Sequence, residues 1–221
     1  MLYKSTRALK SALNESNIEF GKSTTAVFEK IKPSLLLKAG TKPSQYIKDA
    51  YQDYKSKFKK QNNSLNGNVF EMILVCLFFQ LDLLPLYTQT KLAYVPNINF
   101  DFLLFKKDDF ADEKGVVLFE GVLPICISLK TSQRERYKQA DLEAMALKNV
   151  HRNAKCYLIG LDNVTNIQAK IKRKDTFGLD NIFNATETEF DDFIESLVVD
   201  VGNYVHPSDV PVVVTCKKIS I

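Results

Sequence analysis

Tryptophan is missing from this 221-residue chain, and His151 and His206 are its two histidines. That removes most catalysis built on an imidazole base or nucleophile, and most zinc sites. Cysteine is sparse and unpaired. Cys76, Cys126, Cys156 and Cys216 lie 50, 30 and 60 residues apart, so neither a zinc ribbon nor a disulfide scaffold can be built on them. With no secretory signal read at the amino terminus, they are expected to be free and mostly buried thiols. Eight glycines and seven prolines are too few for a collagenous or low-complexity chain. The longest apolar run, Val69 to Phe79, has 11 residues and contains Glu71, short of the roughly 20 that span a bilayer, so no membrane association is expected. What is present is ordinary for a globular protein: 45% apolar and 25% charged residues, enough to close one sizeable core. Any chemistry must run on carboxylates, lysines and metal.

Charge is unevenly distributed. The net charge is +4, yet residues 1–60 hold 13 basic and 5 acidic side chains. The amino-terminal segment therefore carries the positive field, as suits a polyanionic partner or, equally, a solvated lysine-rich surface. Residues 1–62 read as two or three amphipathic helices, broken near Asn17, at Lys32-Pro33 and at Gly40-Thr41-Lys42-Pro43. A helix over Ser44 to Lys60 is expected. A polar linker over Asn62 to Asn68 would then end in a helix cap at Asn68, leading into a buried helix.

Beyond it the period changes. Strands are expected at Lys91–Val95, Phe100–Lys106, Val116–Phe119 and Ile125–Lys130, with a charged hairpin loop at Lys107–Gly115 and interruptions at Gly121 and Pro124. A helix follows over Ser132–Lys148, then a buried strand at Lys155–Leu161. A basic stretch at Lys170–Lys174 comes next, then a helix near Thr188–Val199 and a closing strand around Pro211–Thr215. The order describes an α/β fold, with residues 1–63 as a helical basic layer packed on a core of residues 64–221 within one compact domain.

Three polar groups interrupt apolar elements. Glu71 is the single ionisable residue of its run, and a buried carboxylate there needs a partner unless it sits in the first helical turn and favours the helix dipole. Asp101 lies in Asn99-Phe100-Asp101-Phe102-Leu103-Leu104-Phe105, where alternation puts it on the face of Leu103 and Phe105. Alone, it could equally be a strand-end acid facing solvent. Ser128 and Lys130 project to one side of Ile125–Lys130, and a lysine on a core strand is rare unless its ammonium meets carboxylate or phosphate. The next helix buries Tyr137, Ala140, Ala144 and Leu147, so Arg136, Gln139 and Glu143 border that stripe while Glu135 and Lys138 point outward.

The order helix Glu71, strand Asp101, hairpin, strand Ser128-x-Lys130 and helix resembles the PD-(D/E)xK nuclease core over about residues 64–162. The run Ser128-Leu-Lys-Thr-Ser-x-Arg-Glu-Arg-Tyr-Lys-Gln-Ala-Asp141 is similar to segments of type II restriction endonucleases. The resemblance implies a restriction-endonuclease-like fold, a mixed central sheet flanked by helices, and Mg²⁺-dependent cleavage of double-stranded DNA, with Mn²⁺ as a substitute metal. It also implies a symmetric homodimer, a cognate DNA methyltransferase in the same system and a prokaryotic cytoplasmic location. One departure stands out: the family's second acid, two residues before the lysine, is Ser128 here. Glu143 from the following helix would take that role, with Glu135 and Glu71 as rival donors. The implied metal shell is Asp101, the Leu129 carbonyl and Glu143 or Glu71, beside Lys130, which would orient the attacking water. Thr131, Arg134, Arg136, Gln139, Lys170, Lys172, Arg173 and Lys174 would contact DNA, although the Lys170–Lys174 cluster also reads as a solvated turn. Alternatives are a repair or junction-resolving nuclease of the same fold, or a catalytically silent DNA-binding module.

Overall fold

The computed structural model describes residues 5–16, 18, 20–59, 62–84, 86–92, 95–111, 117–132, 136–205 and 213–216. Its amino-terminal helices begin and end where local chemistry dictates. Helix α1 (Thr6–Glu15) is capped by Ser5, whose hydroxyl accepts the Ala8 N–H. Helix α2 (Lys22–Ile31) gives way to a 3₁₀ turn, Lys32–Leu35, at Pro33, which has no N–H to continue the helical ladder. Helix α3 (Pro43–Lys57) starts on a proline, and its orphan donors are met from far away: Asp191 accepts both the N–H (2.7 Å) and the hydroxyl (2.8 Å) of Ser44.

Helix α4 (Asn63–Gln80) corrects the expected linker. The cap is Asn62, whose side chain accepts the Leu65 N–H at 2.7 Å, so the polar stretch through Asn68 forms the first turns of the helix. Gly67 faces open space there and costs only its helix propensity, while every residue from Val69 to Gln80 is buried. Glu71 therefore lies in the third turn, which removes the dipole explanation for it. Gln80 fastens the amino-terminal layer to this helix by donating to the Leu35 and Cys76 carbonyls and accepting the Leu37 N–H.

The sheet has six strands in the order β5-β4-β3-β2-β1-β6. Strands β1 (Tyr87–Leu92), β2 (Val95–Ala111) and β3 (Val117–Lys130) form an antiparallel meander, with β6 (Val213–Cys216) antiparallel to β1. Strands β4 (Lys155–Gly160) and β5 (Asn181–Asn184) add in parallel through the crossover helices α5 (Tyr137–Val150) and α6 (Thr165–Lys172). Helix α7 (Thr188–Val199) follows β5. The expected hairpin loop is much shorter than its sequence suggests, because β2 runs on to Ala111; residues 112–116 lie outside the described residues. Likewise β3 passes unbroken through Gly121 and Pro124. Pairing with β2 is continuous from Ile127 to Glu120, whereas pairing with β4 begins at Ile125, so Pro124 sits where one side of the strand has no ladder partner among the described residues.

Alternation along β2 and β3 gives the two faces of the sheet. Phe102, Leu104, Ile125, Ile127 and Leu129 share a core with α1–α4 and α7, while Leu103, Phe105 and Cys126 pack with Tyr137, Ala140, Ala144 and Leu147 of α5. Close contact fixes α5: a Cβ on Gly178 would collide with the backbone at Ala144 and Met145, and Asp141 accepts the N–H groups of Phe177, Gly178 and Leu179. Among the described residues, no helix is long and apolar enough to cross a membrane.

Candidate active site

The carboxyl ends of β3 and β4 and the start of β2 meet between α4 and α5, and the polar groups singled out above gather there. Asp101 is the hub. Its Oδ2 accepts the Leu129 N–H at 2.7 Å and the Lys130 ammonium at 3.0 Å, and both side chains are largely covered, 19% and 14% exposed. The ion pair follows from register. Pairing of Phe102 with Ile127 sets Asp101 opposite Ser128, and alternation brings Lys130 back to the same face. Ser128, 4% exposed, lies in this polar end of the sheet.

Glu71 reaches the hub from α4 through Gln89. The Gln89 Nε2 donates to Asp101 Oδ1 at 3.1 Å and to Glu71 Oε1 at 3.2 Å, so one amide nitrogen serves two carboxylates. Asn99 Nδ2 donates to Gln89 Oε1 at 3.1 Å and turns the amide that way round. Gln89 adopts φ +48°, a conformation that costs a non-glycine residue about 1 kcal/mol or more and lets a β1 side chain meet a group from α4. Neither Gln89 nor Asn99 stood out in the sequence as a site residue. Nothing in Tyr87–Leu92 hints at the positive φ, although Asn99 adjoins Asp101 in the same motif.

Burial pushes the Glu71 carboxyl up to about 7, the Asp101 charge adds to this, and the Gln89 hydrogen bond and Lys130 oppose it. Glu143 approaches from α5 on the other side. It is half-buried and accepts the Gln139 Nε2 at 2.8 Å; burial raises its pKa, with the Gln139 bond and Lys130 opposing and Asp101 reinforcing. Glu143 thus shares the electrostatic field of Asp101 and Lys130, while Glu71 is tied to Asp101 by a shared donor. For Leu129 the contact is through its N–H, donated to Asp101.

No protein-family model, no curated protein and no solved structure matches the chain. Among the described residues, no three Asp, Glu, His or Cys side chains converge to hold a metal ion. Magnesium does not require three, since it is commonly bound by one or two carboxylates, keeping water and substrate phosphate for its other positions. Glu71 and Asp101, both within reach of one amide nitrogen, form a donor set of that kind with hard oxygens. They fit a divalent cation.

The expected DNA contacts are dispersed. Arg136 is exposed at the start of α5, and Thr131 is half-buried after β3. Gln139 is engaged with Glu143. The basic stretch does not act as one cluster: Lys170 turns inward, donating to the Tyr137 hydroxyl at 2.8 Å and lying 5.1 Å from its ring centroid, whereas Lys172, Arg173 and Lys174 are exposed and Arg173 pairs with Asp175. Lys170 and Tyr137 line a cleft of about 970 Å³ with Ser132, Asn163 and Asn166, beside the ends of β3 and β4. Arg134 and Glu135 lie outside the described residues. In the amino-terminal layer Lys10, Lys32 and Lys57 are paired with Glu29 or Asp53.

Proposed function

We propose that this protein is a Mg²⁺-dependent endonuclease acting on double-stranded DNA, of the PD-(D/E)xK kind and most specifically a type II restriction enzyme. The observation that carries the reading is the Asp101–Lys130 pair on adjacent strands, with Glu71 joined to it through Gln89. Support comes also from the element order α4-β1-β2-β3-α5-β4, a meander followed by a parallel crossover, which suits a restriction-endonuclease-like core. Glu71 and Asp101 would hold the cation, with Mn²⁺ able to replace Mg²⁺. A cation held there would supply positive charge at the scissile phosphate and make a bound water more acidic. Lys130 would orient the attacking water and offset negative charge as it develops, its ammonium being held by Asp101. Glu143 adds negative potential from α5. Lys170 and the cleft beside Tyr137 offer a place for phosphate.

Palindromic cleavage by a subunit with one such site calls for a two-fold homodimer. A cognate methyltransferase and a prokaryotic cytoplasmic setting belong to the same reading. The test is incubation of the purified protein with phage DNA in Mg²⁺ and in EDTA, followed by sequencing of fragment ends. Discrete fragments with symmetric ends in Mg²⁺ alone support a restriction enzyme; structure-dependent nicking supports a repair or junction-resolving enzyme. Ser128, buried where the family carries an acid, favours a second reading as a silent DNA-binding module. Retained DNA binding without nicking in either Mg²⁺ or Mn²⁺ would establish it.

A further inference from the structure

We propose that the Gln89 amide occupies the cation position in the metal-free protein and, when a divalent cation binds, turns over to present its Oε1 as a ligand. This rests on the metal reading of Glu71 and Asp101. The geometry that motivates it is local. An NH₂ group delivers both of its hydrogens to two carboxylates, one from α4 and one from β2, and so performs at a single point the electrostatic task of a bridging cation. The backbone strain at Gln89 is retained on a strand where an extended residue would otherwise be free to point elsewhere. Such strain persists when the surroundings hold it, and here they do so through three side chains.

Asn99 makes the turn-over reversible. Its Nδ2 holds the Gln89 oxygen at 3.1 Å, while its own Oδ1 is buried with no hydrogen-bond partner among the described residues. If both amides rotate together, Gln89 Nε2 donates to Asn99 Oδ1, and Gln89 Oε1 faces the space between Glu71 and Asp101. The Asn99–Gln89 bond is kept with its polarity inverted. The two carboxylates lose a donor and gain a cation, and the amide oxygen joins them as a third hard ligand, the type that Mg²⁺ and Mn²⁺ prefer. Gln89 thus brings to the metal site an oxygen without a charge of its own.

The test uses metal binding without DNA. Mn²⁺ is titrated calorimetrically into wild type, Gln89→Leu, Gln89→Gly and Asp101→Asn. In parallel, Mg²⁺ is added to ¹⁵N-glutamine-labelled protein, and the Gln89 side-chain NH₂ signal is assigned by its loss in Gln89→Leu. Gln89→Gly guards against misfolding, because glycine accepts φ +48° without strain while removing the amide. The expected result is Mn²⁺ binding by wild type, its loss in Asp101→Asn, and a weakening of about tenfold or more in both Gln89 variants, as loss of groups around a metal typically costs. The Gln89 NH₂ signal should shift with saturation by Mg²⁺. Equal or tighter Mn²⁺ binding in the Gln89 variants, with Asp101→Asn still defective, would overturn the proposal and leave the metal site standing. Identical titrations for wild type and Asp101→Asn would overturn the metal reading and this proposal with it.

Discussion

Replacing Glu71 by Gln should make the metal-free protein more stable at neutral pH and change how its stability depends on pH. The Glu71 carboxyl is 9% exposed and is held at about 7 instead of 4.5, with burial as the main cause. Below pH 4.5 it is protonated in both folded and unfolded chains. Between 4.5 and 7 the unfolded chain gives up this proton and the folded chain keeps it, so stability is lost as pH rises and levels off above 7. A separation of that size corresponds to about 3 kcal/mol. Glutamine has the same shape, and its Oε1 can still accept from Gln89, so the substitution removes the ionisation and little else. Thermal unfolding in EDTA at pH 5, 6, 7 and 8 is the assay. For a domain of this size, about 3 kcal/mol is on the order of 6–12 °C in Tm. Glu71→Gln should approach that gain at pH 8 and show little at pH 5, and Mg²⁺ should narrow the difference by stabilising the ionised wild-type pair. An equal effect at both pH values, or a loss at pH 8, would refute the claim that Glu71 is a buried carboxyl facing another acid.

Other outcomes follow from the same structure. Glu71→Gln should lower Mg²⁺-supported cleavage far more than Glu143→Gln, measured on plasmid DNA, because Glu71 shares a donor with Asp101 whereas Glu143 bonds to Gln139. Gly178→Ala should destabilise by about 3 kcal/mol or more, or prevent folding, since its Cβ would press on the backbone of α5; urea unfolding reads this directly. Lys170→Glu should flatten the dependence of log DNA affinity on log salt more than Arg173→Glu, as Lys170 lines the cleft and Arg173 is paired outside it.

Asp101 and Lys130 were legible in the sequence because each places a charge in an apolar strand, and period-two alternation set Asp101 with Leu103 and Phe105 and Lys130 with Ser128; that these two faces are one, the α5 side, comes only from the pairing of β2 with β3. Glu71 was legible for the same reason, as one acid in an apolar helix. What linked Glu71 to them was hidden, since the Gln89 contact depends on the pairing of β1 with β2 and on a positive φ that no local motif signals. The start of α4 was misplaced because Asn62 and Asn68 are equally good caps in sequence; burial of the following turns cannot choose between them, and the choice shifts Glu71 out of the first turn. Gly121 and Pro124 read as strand breaks by local preference, yet long pairing with β2 overrides both. The Lys170–Lys174 run looked like one cluster, but the helix of α6 ends within it and turns Lys170 alone toward Tyr137.

The most direct measurement of the central claim is cleavage of supercoiled plasmid and phage DNA by wild type, Lys130→Ala and Asp101→Ala in Mg²⁺, with circular dichroism confirming that each variant is folded. Wild type should cut only with the metal, and each variant should lose cleavage while keeping its fold. Near wild-type cutting by either folded variant would contradict the assignment of the Asp101–Lys130 pair as the centre of a metal-dependent nuclease.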